Sequence, residues 1–432
     1  MKSKGMAMFG RDAALQAGSP AGRANVLSPG GVELFALVFN MSVMLFAGQL
    51  SYGLVGFTLR YTSALGAVAV IARALGSGSG PQFWRAASLY APFAAAGLCA
   101  TAFSNDLGGS LSGLIRWSLM LGMALALGTR YGAGPTYRII SRTLLLALVL
   151  SIATAVLLPQ IGNDVYGDRP VWRGLFPHKN TLGRTALIGI LLAVCGGTHD
   201  DRRLTFVLFC VSLVALIGSN NVGSIAVGIA CCAFLYCLRA MHRTRLSGGL
   251  IVFAEASFLL ISVTLFLVYG EMVLSWFGRD LSFTGRTAVW DAYYKEAISH
   301  WMLGQGPGSL SSASPITNRL RNDNFFDGQA IATPHNTYLA VLGDAGVFGL
   351  IAYVGMLVYV MTVRGAQQRT EWARTAATFA LATMLGGFVE TLEVYSEGIG
   401  LLVSAWIWGL TSNEWRQART GDPLEGEWAD RE

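Results

Sequence analysis

Apolar runs alternate with short polar links along almost the whole chain. They lie near 33–51, 53–72, 87–104, 111–128, 142–158, 183–197, 204–218, 222–238, 248–269, 337–362, 375–391 and 395–411. A helix of about 20 apolar residues reaches across a hydrocarbon core. Backbone groups in lipid have no water to bond, so spans of this kind form helices rather than open sheets. The pattern predicts an all-α fold: a polytopic integral membrane helical bundle of about 12 transmembrane helices. One long polar stretch interrupts it, between the ninth and tenth spans. The expected organisation is a cytoplasmic tail over 1–31, helices 1–9 over 32–269 with an outer loop at 159–182, and a large periplasmic loop over 270–336. Helices 10–12 follow over 337–411, with a cytoplasmic tail over 412–432.

Composition agrees with a membrane protein. Of 432 residues 53% are hydrophobic and 13% charged, where a soluble domain carries about a quarter charged residues. The net charge of +6 is spread over many short loops rather than one face, which argues against nucleic acid as a partner. Alternate loops hold Arg73 and Arg85, Arg130, Arg138 and Arg142, Arg202 and Arg203, Arg239 and Arg243, Arg364 and Arg374, then Arg416 and Arg419. The positive-inside rule puts these loops and both termini in the cytoplasm. The polar start lacks the apolar core of a signal peptide and reads as a tail. None of the six cysteines lies in the long loop, so no external disulfide framework is expected.

On the opposite side cations gather in two places, 169–184 and 279–321. The first contains Arg173, His178, Lys179, Asn180 and Arg184. Thr181 or Asn180 is the expected cap of the next helix, whose unpaired N–H groups attract anions. In the second, Thr284 is the expected cap of a helix opening at Arg286, and Trp290, Tyr294, Ala297 and Trp301 share a face. That face would lie on the membrane surface or pack on neighbouring helices. Gly304-Gln305-Gly306-Pro307-Gly308 lacks the Lys-Ser/Thr ending of a phosphate loop and reads as a turn. His335-Asn336 stands just outside the tenth span, within which Gly343, Gly346 and Gly349 would let a neighbouring helix approach. No His or Cys pair has metal-ligand spacing, so no metal or cofactor is expected. Glu255 falls inside a span, where charge is costly, and is expected to be protonated or paired with an arginine. Glu390, Glu393 and Glu397 flank the last outer turn, where they could approach a substrate, though solvated loop residues are the leading expectation.

These blocks resemble the O-antigen ligase and polymerase superfamily of bacterial envelope glycan enzymes. Its motif is a periplasmic His followed by Asn, Ser or Gln, nine residues, then Gly-x-x-Gly, which His335-Asn336 and Gly346-Val347-Phe348-Gly349 satisfy. Arg173-Gly174-Leu175-Phe176-Pro177-His178-Lys179-Asn180 and Gly285-Arg286-Thr287-Ala288-Val289-Trp290 look like two further family blocks, closest to the exopolysaccharide-polymerase branch. The similarity runs from about 85 to 410, although Ser219-Asn220-Asn221-Val222-Gly223-Ser224 lacks the Ser-Arg common at that place. The resemblance implies a metal-independent glycosyltransferase of the inner membrane with its active site facing the periplasm. Its donor would be an undecaprenyl diphosphate-linked glycan and its acceptor a glycan or lipid-linked sugar hydroxyl. Membrane lipids, a flippase and a chain-length regulator are the implied partners. His335 and Arg286 are then the expected catalytic residues. Arg173, His178, Lys179, Asn180, Arg184 and Asn336 are expected to bind substrate, since guanidinium groups grip phosphate oxygens in pairs. Polymerisation of exopolysaccharide or O-antigen repeats is the leading expectation, and ligation to lipid A-core or to protein the alternative. A small-anion transporter is the reading from another class, and predicts ionisable groups near mid-membrane.

Overall fold

The computed structural model describes residues 29–50, 53–131, 133–166, 169–196, 201–244, 246–276, 286–309, 334–364, 370–388, 390 and 398–420. The first six helices are α1 (Gly31–Leu50), α2 (Gly53–Gly76), α3 (Gly80–Ala87), α4 (Ala91–Ala102), α5 (Leu107–Arg130) and α6 (Ala133–Leu157). A single turn, α7 (Pro159–Gly162), leads into an antiparallel hairpin of β1 (Asn163–Tyr166) and β2 (Arg169–Trp172), with Asn163 opposite Trp172. Then come α8 (Lys179–Cys195), α9 (Arg202–Ser219), α10 (Val222–Arg243), α11 (Gly248–Trp276) and α12 (Arg286–Ser299). The chain closes with α13 (Thr337–Val358), a π-helical turn (Tyr359–Arg364), α14 (Glu371–Gly386) and α15 (Ile399–Thr420).

Five of the described helices are long and apolar enough to cross a membrane: Leu107–Arg130, Ala133–Leu157, Arg202–Ser219, Val222–Arg243 and Thr337–Thr362. Shorter apolar helices include Gly31–Val43, Ala91–Ala102 and Ile399–Ser412. The apolar run expected at 87–104 is divided instead, ending α3 at Ala87 and restarting as α4 at Ala91. Pro81 and Pro92 each open a helix, where a missing N–H costs nothing. The bundle is thus a multi-pass helical membrane protein with a small hairpin at one end.

Helix starts follow local chemistry. Asp106 accepts from Gly109 N, Asp201 from Leu204 N, Asn221 from Ser224 N, Asn336 from Leu339 N and Thr370 from Ala373 N, at 2.9–3.2 Å. Each side-chain cap satisfies an otherwise orphaned donor, an effect of about 1 kcal/mol. Packing between helices depends on small residues. A Cβ on Gly128 would stand 2.3 Å from Trp406 O, and one on Gly409 2.9 Å from Leu125 O, so α5 and α15 touch backbone to backbone. The neighbouring indoles are both satisfied, Trp406 Nε1 donating to Thr136 Oγ1 and Trp408 Nε1 to Ala86 O, each at 3.0 Å.

The glycine motif of α13 acts differently from the expected helix-contact face. At Gly346 the backbone leaves helical geometry (φ 65°, ψ −168°) and breaks the helix. The opened groove receives the chain just after α12: Val347 N donates to Trp301 O (2.7 Å), Gln305 N to Gly343 O (2.8 Å) and Gly306 N to Asp344 O (3.0 Å). The expected turn at 304–308 is present, with Gly304, Gly306 and Gly308 at positive φ. Asp344 seals it by accepting from Gly308 N (3.0 Å) and Ser309 Oγ (2.9 Å). On α12 the buried face is Val289, Ala292, Tyr293 and Ala297, whereas Tyr294 and Trp301 are about half exposed. Of the expected aromatic stripe only Ala297 is fully buried, because the face carrying Val289, Ala292 and Tyr293 is the one the helix turns inward.

Candidate active site at one end of the bundle

Two ends of the bundle differ in chemistry. At one, the ends of α8 and α10 meet the start of α14: Arg239 and Arg374 flank Glu371 (3.4 and 3.0 Å), and Arg239 also donates to Val194 O. Nearby helix ends carry the Arg73–Glu33 pair, with Tyr131 Oη donating to Glu33 at 2.7 Å. These are closed ion clusters on the arginine-rich side. The opposite ends of α8, α10, α13 and α14 hold His178, Asn180, Asn221, His335 and Glu390.

The first block is built on the hairpin. Arg173 Nε donates to Ile161 O (3.0 Å) and pairs with Asp164 (3.4 Å), fastening the residue to its own hairpin. Asp164 also accepts from Lys179 N at 3.1 Å. The cap of α8 is His178, whose Nδ1 accepts from Asn180 N (3.2 Å), not the expected Thr181 or Asn180. Extended backbone at His178 places an unprotonated ring nitrogen where those residues would have placed an oxygen. Crowding by protein atoms holds its imidazole below the ordinary range. The Asp164 and Glu390 carboxylates pull it up, while Lys179 and His335 push it down. Lys179 is buried, and Arg184 stands one turn further along α8. The turn before α10 closes on this block, Asn221 Nδ2 donating to Asn180 O at 3.3 Å.

His335 sits at φ 47°, the left-handed region that side chains rarely adopt. Its Nδ1 lies 3.2 Å from Glu390 Oε2, and Asn180 Nδ2 donates to Glu390 Oε1 at 2.6 Å. Glu390 therefore joins the His-Asn motif to the 178–184 block. The sequence places this residue among solvated loop groups, whereas here it is only 8% exposed. Nothing local marks it, since its burial comes from helices far apart in sequence. Asn336 uses both ends of its amide on backbone, capping α13 and donating to Phe388 O at 3.4 Å. It thereby fixes the turn that carries His335 instead of pointing along it.

A cavity of about 140 Å³ opens beside these groups, with Arg184, Ser224, Thr383 and Glu390 in its wall. Elsewhere the lining is apolar and aromatic, including Tyr90, Phe93, Trp117 and Tyr353. Phe93 packs against Trp117 and Tyr353 with ring centroids 5.7 and 5.4 Å apart. Polar groups at one wall and rings on the others suit an amphipathic ligand. Arg286 opens α12, but its side chain lies outside the described residues, as do Thr284, Glu393 and Glu397. Glu255 is fully buried in α11, outside the cavity lining, and the expected arginine partner is absent among the described residues.

Apolar helices with a buried carboxylate that meets a half-buried imidazole and amide at one end define a multi-pass membrane protein with a polar site beside an amphipathic cavity. Residues 204–354 match the family model described as O-antigen ligase. The chain is also 23% identical over 357 residues to the exopolysaccharide production protein ExoQ of Rhizobium meliloti (strain 1021), covering 78% of each chain. Both matches support a likeness to the O-antigen ligase/polymerase superfamily, on its exopolysaccharide branch. The family-model match spans His335, Asn336 and Arg286, and leaves out the 173–184 block and Glu390.

Proposed function

We propose that this chain is an inner-membrane polymerase that joins exopolysaccharide or O-antigen repeat units on the periplasmic face. The donor is a glycan on undecaprenyl diphosphate, and the acceptor is a hydroxyl of a second lipid-linked glycan. The observation that carries this reading is the contact of His335 and Asn180 with one carboxylate, beside a cavity with a cation and aromatic rings in its walls. The positive-inside rule favours the periplasm for this end, since the arginine clusters lie at the other.

In this mechanism His335 removes the proton from the acceptor hydroxyl as its oxygen attacks the anomeric carbon. The bond from that carbon to the diphosphate oxygen breaks, and the lipid diphosphate leaves with the electron pair. The diphosphate is already a good leaving group, so the protein's main task is to hold and neutralise it. Arg286 and Arg184 are assigned to its oxygens, with the buried Lys179 adding positive field. Asn180 and Asn336 hold Glu390 and the turn that carries His335, while Arg173 and His178 fasten the hairpin and the start of α8 beside them. The proton that His335 takes passes to water after transfer. The aromatic and aliphatic groups that line the cavity beside Arg184 suit the first part of the lipid.

Reconstitution tests the reading. Purified protein in liposomes, given only the lipid-linked repeat unit, should yield a ladder of products. His335→Ala and Arg286→Ala should each abolish it while the protein still inserts and purifies as wild type. Full-length polymer from either variant removes that residue from the mechanism. Product that forms only after lipid A-core is added would favour ligation, which the family description also supports.

A further inference from the structure

Glu390 lies on the link between α14 and α15, and backbone contacts hold it in place without help from its side chain. Its N–H donates to Gly386 O (3.0 Å), and its carbonyl accepts from Thr337 Oγ1 (2.8 Å). Thr337 N donates to Gly387 O (2.8 Å) and Tyr338 Oη to Met384 O (2.6 Å), tying the start of α13 to the same link. The carboxylate is thus presented between two preformed partners. One oxygen accepts from the Asn180 amide and the other meets His335 Nδ1. A neutral amide could bridge two such groups as well, so a charge kept 8% exposed asks for a reason beyond scaffolding.

A carboxylate only accepts hydrogen bonds, so the ring nitrogen facing it must carry the hydrogen. His335 then has Nδ1–H toward Glu390 and a lone pair on Nε2. We infer that Glu390 is the positioning residue of the transfer reaction: it fixes His335 in the tautomer whose Nε2 can take the acceptor proton, and stabilises the imidazolium that results. This rests on the assignment of His335 as base. The proton moves from the sugar hydroxyl to Nε2, and Glu390 gains none. The left-handed backbone at His335 fits a ring held by its surroundings rather than by preference. Glu390 faces His335 from the α14–α15 link, and both act on His178 at the start of α8, as do its neighbour Lys179 and Asp164 of the hairpin. Arg184 shares the cavity wall with Glu390.

Glu390→Gln provides the test. Asn180 still demands an acceptor, so the glutamine oxygen turns to it and the NH2 group faces Nδ1. The ring then takes the other tautomer, with Nε2 protonated. The expected result is a fall in kcat of about 10²–10⁴-fold, the range seen when a carboxylate that orients a catalytic histidine becomes an amide. Donor KM should stay within about threefold, as for an interaction made in the transition state. Wild-type kcat in Glu390→Gln, alongside an inactive His335→Ala, would overturn this inference and leave the base assignment standing. An active His335→Ala would overturn the base itself. If Glu390→Gln does not purify as a folded protein, Glu390→Ala with added formate replaces it: restored turnover supports the role, and its absence refutes it.

Discussion

Gly346 offers the sharpest test of the fold beneath the site. Its φ of 65° and ψ of −168° fall in a region that essentially only glycine occupies. A Cβ there would stand 2.1 Å from Met302 O and 2.4 Å from Met302 C, which are backbone atoms with no rotamer to escape into. Gly346→Ala therefore carries about 1–3 kcal/mol of conformational strain. It also pushes the 301–306 segment away from α13. That segment makes the bonds from Val347 N to Trp301 O, Gln305 N to Gly343 O and Gly306 N to Asp344 O. At about 1 kcal/mol for each of the three bonds lost, the total destabilisation reaches roughly 4–6 kcal/mol. Gly355, on the same helix, has open space where a Cβ would go, so Gly355→Ala should be neutral or stabilising by up to about 1 kcal/mol. Thermal unfolding of the two variants in one detergent measures the contrast. Polymer formation should fall only in Gly346→Ala, because His335 sits at the start of the same helix. Equal melting temperatures for the two variants would refute the argument that Gly346 is a docking notch.

Two other outcomes follow from the site. Arg184→Gln keeps the side-chain bulk and removes the cation from the cavity wall. Donor KM should rise by about 10–100-fold, as expected when a charge-assisted phosphate contact is lost, and steady-state kinetics on the lipid-linked donor would detect it. An unchanged KM would move the diphosphate away from Arg184. His178 gives a pH signature in stability. Its folded-state pKa lies below the unfolded value, so the unfolded chain binds the extra proton first. The stabilisation from the neutral ring is fully present above the unfolded pKa and is lost as pH falls through the folded one. Protonation would also put a hydrogen on Nδ1, where Asn180 N requires an acceptor. Melting temperature should therefore drop as pH falls below the ordinary imidazole value of about 6.5, and His178→Asn should flatten that dependence. A slope identical in both proteins would exclude His178 as its source.

Much of this molecule can be read from its sequence because the governing physics is local. Apolar run length decides where helices stand, and the capping residues Asp106, Asp201, Asn221 and Asn336 mark where four of them begin. The His335-Asn336 spacing from Gly346 points to the end of the bundle where His335 meets Glu390. What those glycines do is not visible in the same way. Gly343, Gly346 and Gly349 have the spacing of a helix-contact face, yet one backbone angle at Gly346 turns the motif into a break. That angle is chosen by the 301–306 segment, whose docking no pattern within α13 encodes. His178 as a cap escapes the usual Ser, Thr, Asp and Asn preference, because an imidazole accepts only in one tautomer.

Glu390 shows the limit most clearly. In sequence it is one of three glutamates in a short polar turn, where a solvated surface role is the ordinary outcome. Its burial requires the start of α8, the start of α13 and the end of α14 to meet, elements separated by 210 and 55 positions in its two side-chain hydrogen bonds. Charge count and hydropathy are sums along the chain and carry no trace of that meeting. A cue did exist in composition, for an outer turn rich in carboxylates faces two outer clusters rich in cations. Coulombic attraction across such a gap favours bringing one carboxylate inward, where it is paired, over leaving all three in water. The sequence could therefore supply the candidates. Choosing among them needed the position of the backbone, and the amide of Asn180 and the ring of His335 make that choice, since each places a hydrogen-bonding group on a different oxygen of the same carboxylate.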